Sequence, residues 1–383
     1  MRFGLILRLK MKITVTCPSG LEGVTKKEIY SLLGVDAPFY NGAATFTGGI
    51  EEVQKCNLFL RTASRVYFNL GGFKCSSFDD LFDGLNGIDF ENYIAADGKL
   101  FITAALVESK LTALSATCSV AKKAIYTRLS IYYKKNLTES GERYKIHLSI
   151  HRDYATVLLD TSGDGLHKRG YRPIVSSAPI KENVAAALIN LTVYKDDKPL
   201  IDPFCGSGTF LIEAAQRALK IPPGLNRDFD FLHFKKFDNS GFFELKKQAE
   251  ANILKDKKLN ITGYDIDPEQ ISVAKKSAQK AGVLDYINFV CRDMREAERT
   301  GEYGVIITNP PYGERLLSRA EIETLYRDFG KIYSQKFEDY SLYALTSVSD
   351  FERLIKKKAQ KKRKIYNGKL ECAFYSVFGT KPV

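Results

Sequence analysis

The sequence has no Cys-x-x-Cys pair and only four histidines among its 383 residues. Its seven cysteines, at 17, 56, 75, 118, 205, 291 and 372, are scattered, which argues against a zinc site and against a disulfide framework. No metal is expected, and an odd number of widely spaced thiols fits the reduced state of a cytoplasmic protein. No apolar run approaches the roughly 20 residues that span a bilayer. Residues 1–10 hold a short apolar stretch without a small-residue cleavage site, so a signal peptide is not expected. The regular pattern starts at Met11, which is expected to be the true beginning of the protein. Internal repeats are absent, and so is low-complexity sequence beyond one lysine-rich run.

What is present describes an ordinary globular chain, with 44% hydrophobic and 27% charged residues. The length suggests two or three domains. A net charge of +12 favours polyanionic partners, of which nucleic acid is the commonest.

Periodicity divides the chain into three parts. A strand over Lys12–Thr16, a helix over Leu21–Leu33, a strand near 43–47 and a helix near 50–59 form a small α+β module. Strands at Arg65–Phe73, Lys99–Leu106, Lys145–Ile150 and Ala155–Asp160, with helices at Phe78–Leu85 and Ser115–Leu129, form a second. Residues 161–180, rich in glycine and carrying Lys168, Arg169 and Arg172, are either a flexible basic strap able to follow a phosphate backbone or a plain connector. Strands and helices alternate beyond it, as in a doubly wound sheet, and Asn367-Gly368 marks a closing hairpin. The phenylalanine-rich residues 224–245 interrupt this part as an insertion with no assignment.

The chemistry centres on Val305-Ile306-Ile307-Thr308-Asn309-Pro310-Pro311-Tyr312. Four β-favouring residues predict a buried strand, and two prolines end it in a rigid bend. The bend offers the Asn309 amide oxygen and the Pro310 carbonyl as two acceptors, with the Tyr312 ring beside them. Two such acceptors suit an exocyclic nucleobase amine: each takes one N–H, and the lone pair is turned toward an electrophile while the ring stacks on the base. The alternative is an ordinary strand ending in an Asn-Pro turn. Asn-Pro-Pro-Tyr after an apolar strand resembles the signature of the amino-methyltransferases, which use S-adenosylmethionine to methylate adenine N6, guanine N2 or a glutamine amide.

A second stretch, Leu200-Ile201-Asp202-Pro203-Phe204-Cys205-Gly206-Ser207-Gly208-Thr209, predicts a strand, a glycine-bearing loop and a helix. It is neither the dinucleotide fingerprint nor a phosphate-binding P-loop. Asp202 would repel a pyrophosphate but can accept from the α-ammonium of a methionine moiety. Pro203, Gly206, Gly208 and Thr209 complete this candidate cofactor loop. Asp265, ending the next strand, can take both hydroxyls of a ribose. Asp267 suits a helix cap, and Asp293 can accept from an adenine amine. Each aspartate alone could be a cap; in the order 202, 265, 293, with Asn309 following, they fit successive strand ends of one sheet. Eight of the twelve residues from Arg353 to Lys364 are Lys or Arg, either a solvated helix end or a phosphate-contacting ridge that includes Lys357, Lys361 and Arg363.

From about Met11 the chain resembles the THUMP-domain RNA guanine-N2 methyltransferases, nearest to those acting on bacterial large-subunit ribosomal RNA. The resemblance rests on Gly165-Leu166-His167-Lys168-Arg169-Gly170-Tyr171-Arg172, Asp202 to Thr209, Asp265-Ile266-Asp267-Pro268 and Asn309-Pro310-Pro311-Tyr312-Gly313-Glu314-Arg315. It implies a ferredoxin-like domain at 1–65, a THUMP RNA-binding domain at 66–160, a basic linker at 161–180 and a Rossmann-like seven-stranded methyltransferase domain with a terminal β-hairpin at 181–383. It further implies S-adenosylmethionine as cofactor, N2 of a guanine in 23S ribosomal RNA as target, and a monomer or weak dimer. Some members carry a second methyltransferase domain downstream; this sequence ends at Val383, so one modification is expected. The rival targets are transfer RNA, adenine N6 and a release-factor glutamine. A non-catalytic RNA-binding or assembly factor on the same fold is the alternative of a different class.

Overall fold

The computed structural model describes residues 10–40, 42–172, 180–312, 318–368 and 370–380. The stretch before the expected start, Pro173 in the linker, and Gly313, Glu314 and Arg315 after the strand-end turn lie outside them. The described chain forms two units. The first comprises Met1–Cys17, Glu28–Leu166 and Arg227–Lys247, the second Pro18–Lys27, His167–Asn226 and Gln248–Val383.

The first unit is built on seven strands: β1 (Met11–Thr16), β2 (Phe39–Tyr40), β3 (Ala43–Gly48), β4 (Arg65–Lys74), β5 (Lys99–Val107), β6 (Arg143–His151) and β7 (Tyr154–Asp160). The helices are α1 (Glu22–Leu33), α2 (Ile50–Phe59), α3 (Phe78–Asn86) and α4 (Leu114–Tyr133). The strands make one sheet in the order β2-β3-β1-β4-β7-β6-β5. Alternation sets their faces: Tyr144, Ile146, Leu148 and Ile150 of β6 are buried, with half-exposed or exposed residues between them. Strand β4 pairs with both β1 and β7, so hydrogen bonding runs without interruption past residues 65 and 66.

The insertion left unassigned by periodicity belongs to this unit. Phe234 stacks on Tyr144 at 4.8 Å between ring centroids, and Phe237 on Phe68 at 4.9 Å. Asp230 meets Arg143 at 3.1 Å, and the Phe231 amide donates to the Thr161 carbonyl at 3.1 Å. Phe234 is 1% exposed. Phe234→Ala should therefore cost this unit about 3–5 kcal/mol, the usual loss for truncating a buried phenylalanine. A urea titration of the full chain reads this as a lower unfolding midpoint; an unchanged midpoint would remove the insertion from the core.

The second unit contains β8 (Leu200–Asp202), β9 (Ile261–Asp265), β10 (Asn288–Cys291), β11 (Val305–Thr308), β12 (Ser341–Thr346), β13 (Lys361–Asn367) and β14 (Leu370–Val377). Its helices are α5 (Glu182–Asn190), α6 (Thr209–Ala218), α8 (Pro268–Lys280), α9 (Arg319–Lys336) and α10 (Phe351–Ile355), while α7 (Ser240–Ala251) is divided between the two units after Lys247. The sheet order is β10-β9-β8-β11-β12-β14-β13, parallel from β10 through β12 and closed by the antiparallel hairpin β13–β14. The chain runs outward from β8 to β10, then returns to place β11 against β8 on the other side. That reversal opens a crevice at the carboxyl ends of β8 and β11, where doubly wound sheets bind ligands.

The basic run is not one helix end. It leaves the short α10, crosses a loop and enters β13, where Lys361, Lys362, Arg363 and Lys364 are all exposed along the outermost strand. Charged side chains on such a strand also discourage edge-to-edge aggregation. Among the described residues no helix is long and apolar enough to cross a membrane.

Candidate active site

Parallel register aligns the strand ends. Leu200 and Ile201 pair with Val305 and Ile306 on one side, and Asp202 pairs with Gly263 on the other. Cys291 pairs with Asp265. Asp202, Asp265 and Asn309 therefore leave neighbouring strands at one edge of the sheet.

Asp202 is 1% exposed, accepts from the Phe204 amide at 3.1 Å and has no ion pair among the described residues. Burial raises its pKa from the usual carboxylate range to about 7, against the opposing bond from the Phe204 amide, and the nearby Asp265 charge raises it further. A buried carboxyl without a cation fits an ammonium ligand.

The loop after Asp202 is shaped by two left-handed glycines, Gly206 at φ 51° and Gly208 at φ 77°. A Cβ at Gly208 would come within 2.9 Å of the Phe289 ring, whereas one at Gly206 would meet nothing within 4 Å. The open side at Gly206 is where a ligand can approach the backbone. Asp265 secures the loop: its Oδ2 accepts from the Gly206 amide at 2.9 Å and its Oδ1 from the Asp267 amide at 3.0 Å. Burial raises the Asp265 pKa as well. Asp267 caps α8, accepting from the Glu269 amide at 2.8 Å. The unpaired acid, the open glycine and the Asp265 carboxylate at the next strand end together fit an amino-acid-bearing nucleoside. Asp293 is more committed, since it caps a short 3₁₀ turn and pairs with Arg295 at 2.7 Å. Pro203 is buried behind the loop, and Thr209 opens α6.

At the end of β11, Asn309 is half-buried. Its Oδ1 is shielded from solvent and has no hydrogen-bond partner among the described residues. An unpaired buried acceptor costs about 1–3 kcal/mol. Tyr312 is half-buried against the apolar core, and burial pushes its phenol up to about 12. The phenol accepts from Asn367 Nδ2 at 3.0 Å, a partner that sequence reasoning had read only as a turn residue. Tyr326 on α9 donates to the Pro311 carbonyl at 3.0 Å. It gives no signal in the sequence, because it sits in the apolar stripe of an amphipathic helix.

The basic candidates scatter. Lys168 is exposed, but Arg169 is only 4% exposed and lies 3.5 Å from Glu213, whose Oε1 also accepts from the Tyr171 hydroxyl at 3.1 Å. Arg169 is thus half of an interior ion pair, not a surface contact for phosphate. Arg172 is turned inward too: it lies 3.4 Å from Glu182 and donates to the Ile180 carbonyl at 2.9 Å and Thr209 Oγ1 at 3.1 Å. It braces the start of α6 behind the glycine loop. Both were expected on an exposed strap, and each is drawn in by a carboxylate supplied later in the chain. Lys357 pairs with Glu338 at 3.1 Å, Lys361 is exposed, and the exposed Arg363 donates to the Gly20 carbonyl at 3.1 Å.

Comparison with known proteins bears on the chain as a whole. The family model described as RMKL-like, methyltransferase domain, matches residues 169–376, and the RlmL ferredoxin-like domain matches residues 12–67. YpsC of Bacillus subtilis (strain 168), described provisionally as an RNA methyltransferase, is 37% identical over 369 residues, 96% of this chain and 95% of YpsC. Ribosomal RNA large subunit methyltransferase K/L of Aliivibrio salmonicida (strain LFI1238) is 32% identical over 95% of this chain, which spans 53% of that protein. The crystal structure of SMU.472, described as a methyltransferase candidate complexed with SAH, superimposes with a TM-score of 0.93 at 37% identity, covering 98% of this chain and 99% of that one. With a family model over more than half its length and a relative aligned along nearly all of both chains, this protein belongs to the RMKL-like methyltransferase family.

Proposed function

We propose that the protein transfers a methyl group from S-adenosylmethionine to N2 of a guanine in 23S ribosomal RNA. The observation that carries the reading is the unpartnered Asn309 Oδ1 at the end of β11, beside the buried Asp202 of β8. RNA as substrate draws support from the names of the B. subtilis and A. salmonicida relatives, and the ribosomal target from the second of them.

In this reading Asp202 holds the cofactor's α-ammonium, Asp265 its ribose hydroxyls, and the loop from Pro203 through Gly206 and Gly208 to Thr209 its length, with Asp293 near the adenine. When bound, the cofactor supplies an electrophilic methyl on a sulfonium. Asn309 Oδ1 and the Pro310 carbonyl each accept one N–H of the guanine amine. The nitrogen lone pair, otherwise delocalised into the ring, is thereby turned toward that methyl. Tyr312 stacks on the base after it leaves its helix. Transfer would break the S–CH₃ bond and leave S-adenosylhomocysteine, and the methylated amine would give up one N–H proton to water, so positioning and electrostatics, not a strong base, carry the catalysis. Residues 1–65 act as the ferredoxin-like domain and 66–160 as a THUMP module that binds RNA, while Lys168, Lys361 and Arg363 contact phosphates.

Mass spectrometry of nucleosides from a strain lacking the protein tests this. The expected result is loss of N2-methylguanosine from 23S ribosomal RNA, restored by the wild-type gene. Loss from transfer RNA instead would move the target. Loss of an N6-methyladenine would change the acceptor atom. No loss in any nucleic acid, together with tight RNA binding, would make the protein a non-catalytic factor.

A further inference from the structure

The turn that carries the proposed chemistry is short of restraints of its own. Pro310 and Pro311 have no amide hydrogens, so these residues cannot be pinned through ladder donors. A stacking ring and an aimed amide nevertheless need fixed positions, since an error of about 1 Å can cost roughly 100-fold in rate.

Two side chains from outside the motif supply the restraint. The first is Tyr326, fully buried on α9. Its hydroxyl donates to the Pro311 carbonyl at 3.0 Å and lies 2.9 Å from Thr346 Oγ1. Tyr326 has one proton and spends it on Pro311, so Thr346 must donate to Tyr326. Thr346 Oγ1 in turn accepts from the Val348 amide at 3.1 Å. The result is a one-directional chain from Val348 through Thr346 and Tyr326 to Pro311, in which each bond polarises the next. With the Pro311 carbonyl engaged, the Pro310 carbonyl remains an open backbone acceptor of the turn among the described residues.

The second is Asn367, at the head of the β13–β14 hairpin, which donates Nδ2–H to the Tyr312 phenol at 3.0 Å. Cys372 and the Asn309 side chain also neighbour the phenol. Tyr312 is therefore held at its far end, while its ring stays against the core. Oδ1 is the buried end of the Asn309 amide and has no partner among the described residues.

We infer that Tyr326 and Asn367 are positioning residues of the base site, fixing the Pro311 carbonyl and the Tyr312 phenol so that Asn309 Oδ1 and the Pro310 carbonyl face the amine together. The inference rests on the functional reading above. It gives the terminal hairpin a part in the active site as well as in closing the sheet.

The test uses the full chain, 23S ribosomal RNA from the deletion strain and labelled S-adenosylmethionine. Tyr326→Phe and Asn367→Asp each remove one donor with little change of shape. Each is expected to lower kcat about 10- to 100-fold, the scale of a misplaced reacting group. The SAH dissociation constant and the RNA KM should stay within about twofold. Asn367→Gln, which keeps the donor, should recover part of kcat where Asn367→Asp does not. Unchanged kcat in both donor-less variants overturns the inference. So does a loss of SAH affinity parallel to the loss of rate, which would make the residues merely structural. If the wild-type enzyme methylates a different amine, the guanine reading fails, while the same kcat comparison on that amine still decides the positioning roles.

Discussion

Asn309→Ala is expected to lower kcat by about 100- to 1,000-fold, the cost of deleting one preorganised acceptor or donor in a transition state. The SAH dissociation constant should hardly change, because cofactor contacts are assigned to β8, β9 and the glycine loop, whereas Asn309 ends β11. Stability gives a second and less obvious readout. Asn309 Oδ1 is buried without a partner among the described residues, so its removal relieves a desolvation penalty of about 1–3 kcal/mol. The variant's unfolding midpoint should accordingly stay level or rise while activity collapses, as at a site where function is kept at the expense of stability. Asn309→Asp separates the two effects further. It keeps the shape and an acceptor but puts a charge in place of a neutral amide, so it should remain impaired. Calorimetric titration with SAH and a single-turnover assay on the same preparations check this. Lost cofactor affinity in Asn309→Ala would refute the assigned role.

The parts of this site that were legible in the sequence are those encoded locally. The strand Val305–Thr308 was predicted with the bounds it has, because four β-favouring residues end abruptly in two prolines. Asp267 was separated from Asp265 correctly, since a short acid immediately before proline is a helix-cap signal in one stretch of chain. Asn367-Gly368 announced the hairpin, though β13 begins at Lys361, earlier than periodicity indicated. Consecutive lysines disguise a strand, yet an outermost strand tolerates them. What was not legible depends on partners far along the chain. Arg169 looked like a surface charge until Glu213 met it, and Phe234 had no assignment until Tyr144 met it. Tyr326 and Asn367 were hidden for the same reason: a helix stripe and a turn residue carry no mark of the carbonyl and phenol they hold.

Cofactor affinity should depend on pH in a way set by Asp202. Burial holds this carboxyl near 7, so in the free protein the protonated form is favoured well above the ordinary range. Because the folded value is raised, this group's contribution to stability is complete below the unfolded value of about 3.9 and is lost as pH rises through about 7. A cofactor ammonium reverses that preference, since it needs the carboxylate. Binding below pH 7 must therefore expel a proton, and affinity should fall about tenfold from pH 8 to pH 6, one factor of ten for each unit below the pKa. SAH titrations at pH 6, 7 and 8, each in two buffers of different ionisation heat, measure both the affinity and the proton released. Asp202→Asn should bind SAH weakly and with little pH dependence across this range. Its free form should also gain stability relative to wild type above pH 7, where the wild-type protein must bury a charge that has no ion pair among the described residues. A flat wild-type affinity profile would mean that the ammonium is met elsewhere. Proton release that persists in Asp202→Asn would shift the assignment to Asp265, the other carboxyl at this edge whose pKa is raised by burial.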